Sequence, residues 1–154
     1  MKVKLDAGDY ELKVYSSNYG KESDWTNDDK GTPIYYKEES FSIKAGETCF
    51  LTVKVPMLVY AVQLTLPESF SEWFPTYAFT VTSGARSVAL KAGETAYFSY
   101  TSGTTFAYKL TMQNADGEEQ SKEGTYGTGQ VVQQGHLYDV NYSLASQTLS
   151  AFGN

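Results

Sequence analysis

Apolar residues in this chain recur at every second position, and that period restricts the fold more than any other feature. It is clearest at Tyr10, Leu12 and Val14, at Phe41 and Ile43, at Leu51, Val53 and Val55, and at Tyr138, Val140, Tyr142 and Leu144, with Val3 and Leu5 ahead of them. Side chains two apart share one face of an extended chain, whereas a helix brings together residues three or four apart, so these runs predict half-buried strands. The segments between them carry turn chemistry: Ala7-Gly8-Asp9, Ala45-Gly46-Glu47, Ser83-Gly84, Ala92-Gly93-Glu94, Ser102-Gly103, Asn114-Ala115-Asp116-Gly117 and Gln134-Gly135. Glycine supplies the positive φ that tight turns need. Strands at this hairpin spacing predict an all-β fold. The expected architecture is an antiparallel β-sandwich, Greek-key or transthyretin-like, of about nine or ten strands. A chain of 154 residues is long enough for one self-sufficient core, so residues 1–154 are read as a single sandwich domain.

One segment breaks the pattern. Between Pro67 and Pro75, Ser69 is placed as an N-cap with Glu72 three residues on, and Pro75 stops the helix. A short helical turn near residues 69–74 is expected, packing Phe70 and Phe74 over one end of the core. Two long polar segments, Ser16 to Thr32 around Trp25 and Glu118 to Gly129, lack apolar periodicity and read as loops. An internal echo links Phe41-Ser42-Ile43-Lys44-Ala45-Gly46-Glu47-Thr48 to Val88-Ala89-Leu90-Lys91-Ala92-Gly93-Glu94-Thr95. Its uneven spacing points to repeated strand-turn-strand chemistry and not to a solenoid.

Charge and composition exclude several functions. The net charge is −6, and the 12 Lys and Arg residues are scattered singly. Nucleic-acid binding draws its affinity from clustered cations on phosphates, so no nucleic-acid partner is expected. The same scatter leaves no polybasic membrane patch. The longest apolar stretch, Val53 to Leu66, is interrupted by Lys54, Pro56 and Gln63 and falls short of the roughly 20 residues that span a bilayer, so no direct membrane insertion is expected. Met1 to Leu5 runs into a strand pattern without the apolar core of a signal peptide.

Chemistry is equally constrained. His136 is the sole histidine and Cys49 the sole cysteine, which leaves no triad or zinc set to assemble. Cys49 sits in an apolar run and reads as a small buried hydrophobe. The acids Asp9, Glu47, Glu68, Glu72 and Glu94 lie mostly at turns, and no spacing singles out a glycosidase pair. Asp24 to Tyr35 fails the calcium-loop pattern, with Asp29 where glycine is needed and Tyr35 where a bidentate glutamate is needed. The chain is therefore read as non-enzymatic, with no catalytic residue, metal or cofactor. Aromatic residues in or beside loops are the remaining lead. Trp25, Tyr35, Tyr36, Trp73 and Tyr77 are the candidate ligand-binding residues, because exposed rings stack on sugars or anchor a protein partner. The competing reading is that they cap the core.

The order of these motifs resembles a family of domains found in exported lipoproteins of gut-dwelling Gram-negative bacteria, close to fimbrillin-like surface proteins. The matching residues are Leu5-Asp6-Ala7-Gly8-Asp9-Tyr10, Pro33-Ile34-Tyr35-Tyr36, Phe41 to Thr48, Phe70-Ser71-Glu72-Trp73-Phe74 with Tyr77, Ala96-Tyr97-Phe98 and Gly135-His136-Leu137-Tyr138, and they cover nearly the whole chain. The resemblance implies a cell-surface β-sandwich beside carbohydrate-related domains, held at the outer-membrane surface of the cell envelope by a lipid anchor that lies outside this sequence. It transfers no catalytic residue. It supports a non-catalytic binding or accessory module that contacts a glycan or a surface protein. The alternative is a fimbrial or adhesin subunit that assembles by strand complementation. Fimbrillin-type assembly generally follows cleavage after an arginine, and Arg86, the only arginine, falls in the predicted hairpin Thr82 to Val88, where a cut would sever the sandwich.

Overall fold

The computed structural model describes residues 1–153, and its strands follow most of the period-2 runs. A two-stranded ribbon comes first: β1 (Gly8–Tyr15) pairs antiparallel with β2 (Tyr36–Ile43). The sandwich is built from the eight strands that follow. β3 (Tyr60–Thr65), β6 (Thr95–Phe98), β9 (Leu137–Ser143) and β10 (Thr148–Gly153) form one four-stranded sheet in the order β10-β9-β3-β6. β4 (Thr76–Ser83), β5 (Arg86–Leu90), β7 (Phe106–Gln113) and β8 (Glu119–Tyr126) form the other in the order β5-β4-β7-β8.

The core lies between these two sheets. Alternation places Tyr60, Val62 and Leu64, Phe79 and Val81, Phe106, Leu110 and Met112, and Tyr138 and Val140 inward, each almost fully buried. The predicted helical turn forms as α1 (Phe70–Trp73), closed by the Phe74 N–H donating to the Phe70 carbonyl at 2.8 Å. Phe70 is buried and packs edge-on against Tyr77 and Tyr142, so this single turn plugs one end of the core as expected.

Three features depart from the expectation. The central pair β3 and β9 runs parallel, aligning Ala61 with Leu137 and Thr65 with Asn141, while the other ladders are antiparallel. Parallel neighbours need a long crossover, here supplied by the whole second sheet and β6. Next, the strand expected through Leu51, Val53 and Val55 does not form: residues 47–56 have no ladder partner, and neither do residues 1–7. Alternation prepares a segment for pairing, but a strand exists only where another edge meets it. Cys49, read as buried, is accordingly exposed, and its neighbour Phe50 is 91% exposed. Finally, the polar segment Glu118 to Gly129 is not a loop but contains β8. An edge strand with solvent on one side tolerates Glu, Gln, Ser and Lys, and such residues also discourage unwanted pairing. Opposite Tyr108, Gly124 leaves room for the phenol: a Cβ there would lie 2.5 Å from its Oη.

The loop Ser16 to Thr32 has a structural task. Asn27 Oδ1 accepts from the Ser87 N–H at 2.8 Å, Asp28 Oδ1 accepts from the Ala89 N–H at 3.1 Å, and the Asp28 N–H donates to the Ser87 carbonyl. The Tyr97 N–H donates to the Lys30 carbonyl at 2.7 Å. The loop thus satisfies backbone groups on the free edges of both β5 and β6, closing that side of the sandwich to strand addition.

The echoed turns share their glycine geometry. Gly46 has φ 75 and Gly93 has φ 85, and an added Cβ would meet nothing within 4 Å at either site. Replacing either by Ala therefore imposes backbone strain alone, about 1 to 2 kcal/mol each. Because the sites are in separate turns, the double variant should lose the sum of the two within about 0.5 kcal/mol, read from denaturant midpoints. A variant as stable as the parent would contradict this. The second turn carries an extra brace, Glu94 Oε1 accepting from the Lys91 N–H at 2.6 Å. That contact and the nearby Lys30 ammonium hold the Glu94 carboxyl below the usual range.

Candidate functional site

The five candidate aromatics do not converge. Trp25 is half-buried and engaged: the Arg86 guanidinium lies 4.9 Å from its ring centroid, and a Cβ on Gly31 would lie 3.1 Å from the ring. It anchors the loop that seals β5 and β6. Tyr35 is 39% exposed at the entry to the ribbon, where its backbone bridges to Met57. Tyr36 begins β2 and stacks on Tyr19 at 4.5 Å, with Tyr15 6.4 Å away on the same surface. Its hydroxyl donates to the Glu38 carboxylate, and that bond pushes its pKa up to about 12. Tyr77 lies against Phe70, accepts the Ala92 N–H on its hydroxyl at 3.0 Å, and carries the Lys91 ammonium 4.9 Å above its ring. Trp73 alone presents a largely free indole, 64% exposed at the end of α1.

Trp73 borders a cleft of about 430 Å³ at the α1 end of the sandwich. α1 contributes Ser69, Trp73 and Phe74 at or beside it, β8 contributes Gln120, β9 contributes Tyr142, and the β9–β10 turn contributes Gln147. These positions follow from the fold. Phe70 fixes α1 by burying its ring, which leaves Trp73, three residues on, at the solvent boundary. Tyr142 is the last inward residue of β9 and is 4% exposed, set edge-on to Phe70 at 5.4 Å and to Phe74 at 6.4 Å.

Two features of this cleft bear on ligand binding. The Tyr142 hydroxyl is buried and has no hydrogen-bond partner among the described residues. Burial raises its pKa, so it is a neutral phenol with its donor and acceptor both unused. Leaving such a group unpaired costs about 1 to 3 kcal/mol, which any hydrogen-bonding group that reached it would offset. The second feature is Gln147, which holds φ 55, a left-handed conformation that non-glycine residues adopt infrequently. It is one of only two non-glycine residues at positive φ among those described, and its side chain lines the cleft.

Of the sequence candidates only Trp73 lines this cleft, with Tyr77 beneath it through Phe70. Phe74 is legible as part of the plug, but Tyr142, Gln120 and Gln147 are not. Tyr142 reads as one more inward strand residue, and nothing local marks the two glutamines. Among the described residues, no group of three or more His, Cys, Asp or Glu is arranged to hold a metal. Nor is any helix among the described residues long and apolar enough to cross a membrane.

Fold and cleft together define an all-β sandwich module with an aromatic cleft at one end and a sealed edge on one side. The chain belongs to the family described as "Domain of unknown function (DUF4493)", whose profile matches residues 1–153. Among solved structures it is similar to that of a candidate adhesin from Bacteroides ovatus ATCC 8483. The two share 14% identity, the match covers 94% of this chain and 75% of that one, and the TM-score is 0.39. No curated protein matches the chain.

Proposed function

We propose that this domain is a non-catalytic binding or accessory module that acts at the cell-envelope surface through the cleft beside Trp73, contacting a glycan or a partner protein. The observation that carries the reading is a largely exposed indole bordering a cleft whose lining is aromatic, apolar and amide-bearing and holds no charged side chain. The cleft's size falls in the roughly 300 to 1,000 Å³ range of small-molecule sites. Placement at the envelope rests on the lipoprotein resemblance read from the motifs.

The test is direct. Because Trp73 is mostly solvated, Trp73→Ala should change stability by no more than about 0.5 kcal/mol. It should also abolish whatever binding the parent shows on a broad glycan array and on immobilised extracellular-matrix proteins. Equal binding by parent and variant, or none by the parent on either surface, would overturn the reading.

A second reading, a fimbrial or adhesin subunit completed by a neighbour's strand, draws support from the flank of the ribbon. There Val3, Leu5, Phe50 and Leu51 are exposed within segments that have no ladder partner. Arg86 argues against release by cleavage, since it sits at the tight β4–β5 turn opposite Ser83 and is bonded into the sandwich. A concentration-independent monomer in sedimentation would count against the subunit reading.

A further inference from the structure

We infer that the cleft beside Trp73 takes an uncharged pyranose sugar, with the Trp73 indole as stacking platform and Tyr142, Gln120 and Gln147 as hydrogen-bonding partners. This rests on the binding-module reading above and commits it to one ligand class.

The chemistry of the lining selects that class. A pyranose has a face of C–H groups, which packs on an aromatic ring, and a rim of hydroxyls, each both donor and acceptor. Trp73 offers the ring, 64% exposed at the cleft mouth. Gln120 and Gln147 offer carboxamides, which donate and accept in the same way as the sugar rim. The Tyr142 hydroxyl is shielded from solvent and without a partner, so a small shift of the cleft lining would let a ligand hydroxyl, or a water bridging to one, supply the missing bond. No Asp, Glu, Lys, Arg or His lines the cleft, and the chain as a whole is acidic at −6. A uronic acid, a sialic acid or a sulfated sugar would meet no cation there and would lose hydration without compensation. A protein side chain would use the apolar wall but would leave the amides and the buried hydroxyl largely unmatched.

Two variants separate binding from folding. Tyr142→Phe deletes the unpartnered hydroxyl, so the fold should be as stable as the parent or more stable. Gln147→Gly relieves a left-handed backbone while removing a side chain from the cleft, so it too should fold normally.

The experiment is a ¹H–¹⁵N NMR titration of the full chain with cellobiose, maltotriose, mannobiose, galactobiose and chitotriose. Galacturonic acid trimer and sialyllactose serve as the charged counterparts. At least one neutral sugar should shift the Trp73 indole signal with a Kd of about 10 mM or tighter. Tyr142→Phe and Gln147→Gly should each weaken that sugar at least about fivefold, and the charged sugars should bind at least about tenfold more weakly. If no neutral sugar binds at about 10 mM, or if charged sugars bind as well, the inference is wrong. Should Trp73-dependent attachment to immobilised protein survive in that case, the binding-module reading stands with a protein ligand. Without it, both fall. Sugar binding that ignores Tyr142→Phe and Gln147→Gly would also overturn the assignment, since a surface indole alone would then account for it.

Discussion

Truncating Phe106 to alanine should cost about 3 to 5 kcal/mol, the largest loss expected from any single change in this domain. Phe106 opens β7 with its side chain fully buried, and four rings surround it. Tyr126 stacks on it at 5.4 Å with an interplanar angle of 9°, Tyr138 lies at 5.5 Å, Tyr60 at 5.9 Å and Tyr108 at 6.1 Å. These partners come from both sheets, so a cavity here loosens the contact that joins them. None of the rings can collapse freely into the space. The Tyr60 hydroxyl is tied to Ser83 at 2.6 Å, and the Tyr138 hydroxyl accepts the Gln133 N–H at 2.6 Å. Urea unfolding monitored by circular dichroism should show the midpoint falling with the slope unchanged. Phe106→Leu keeps most of the volume and should lose no more than about 1.5 kcal/mol. A loss below about 2 kcal/mol for the alanine variant would mean that the aromatic cluster is loosely packed.

Arg86→Ala should follow closely, at about 3 kcal/mol or more, because it removes several charge-assisted hydrogen bonds at once. The guanidinium donates to the Tyr97 carbonyl at 2.6 Å, to the Thr26 carbonyl at 3.3 Å and to the Asp29 carbonyl, while lying between the Trp25 ring at 4.9 Å and the Phe98 ring at 4.7 Å. Burial lowers its pKa from the ordinary arginine value, a sign that the charge relies on these carbonyls in place of water. Removing it takes a donor from the Tyr97 and Asp29 carbonyls, leaves the Thr26 carbonyl with the Asp29 N–H alone, and frees the loop that covers β5 and β6. Hydrogen exchange should quicken at the Asp28, Ser87 and Tyr97 amides, which the loop now pairs, before it quickens at the core of β7. Arg86→Lys should recover less than half the loss, since one ammonium cannot reach three carbonyls in a planar fork and stack between two rings. Full recovery by lysine, or unchanged exchange at those amides, would show that the loop holds its place without Arg86.

These two sites show where reading from sequence stops. Phe106 is followed by Tyr108, Leu110 and Met112 at period 2, so its inward direction is legible once the strand is recognised. Arg86 is legible only as a lone cation near a hairpin. That it gathers three carbonyls and two rings depends on a loop some sixty residues earlier folding over the β5 edge. The same loop sets the Trp25 ring against the Arg86 guanidinium, a contact that no local pattern shows. β8 was obscured for a related reason, since an edge strand keeps little apolar pattern where water replaces a neighbour.

The features legible from residue order alone are local: the strand periods, the glycine turns at positive φ, and the proline-bounded turn carrying Phe70 and Phe74. Each follows from sterics and side-chain direction within a few residues, which need no knowledge of the rest of the chain. The tertiary structure decided which strands pair, and so placed β3 beside β9 in parallel and left residues 47–56 without a partner. It also brought Trp73, Gln120, Tyr142 and Gln147 to one cleft. Trp73, Gln120 and the Tyr142–Gln147 pair are separated by tens of positions, and their meeting is set by the burial of Phe70 and by the stacking of two sheets around a shared core. Such contacts are formed by long-range packing free energy, which no local pattern encodes.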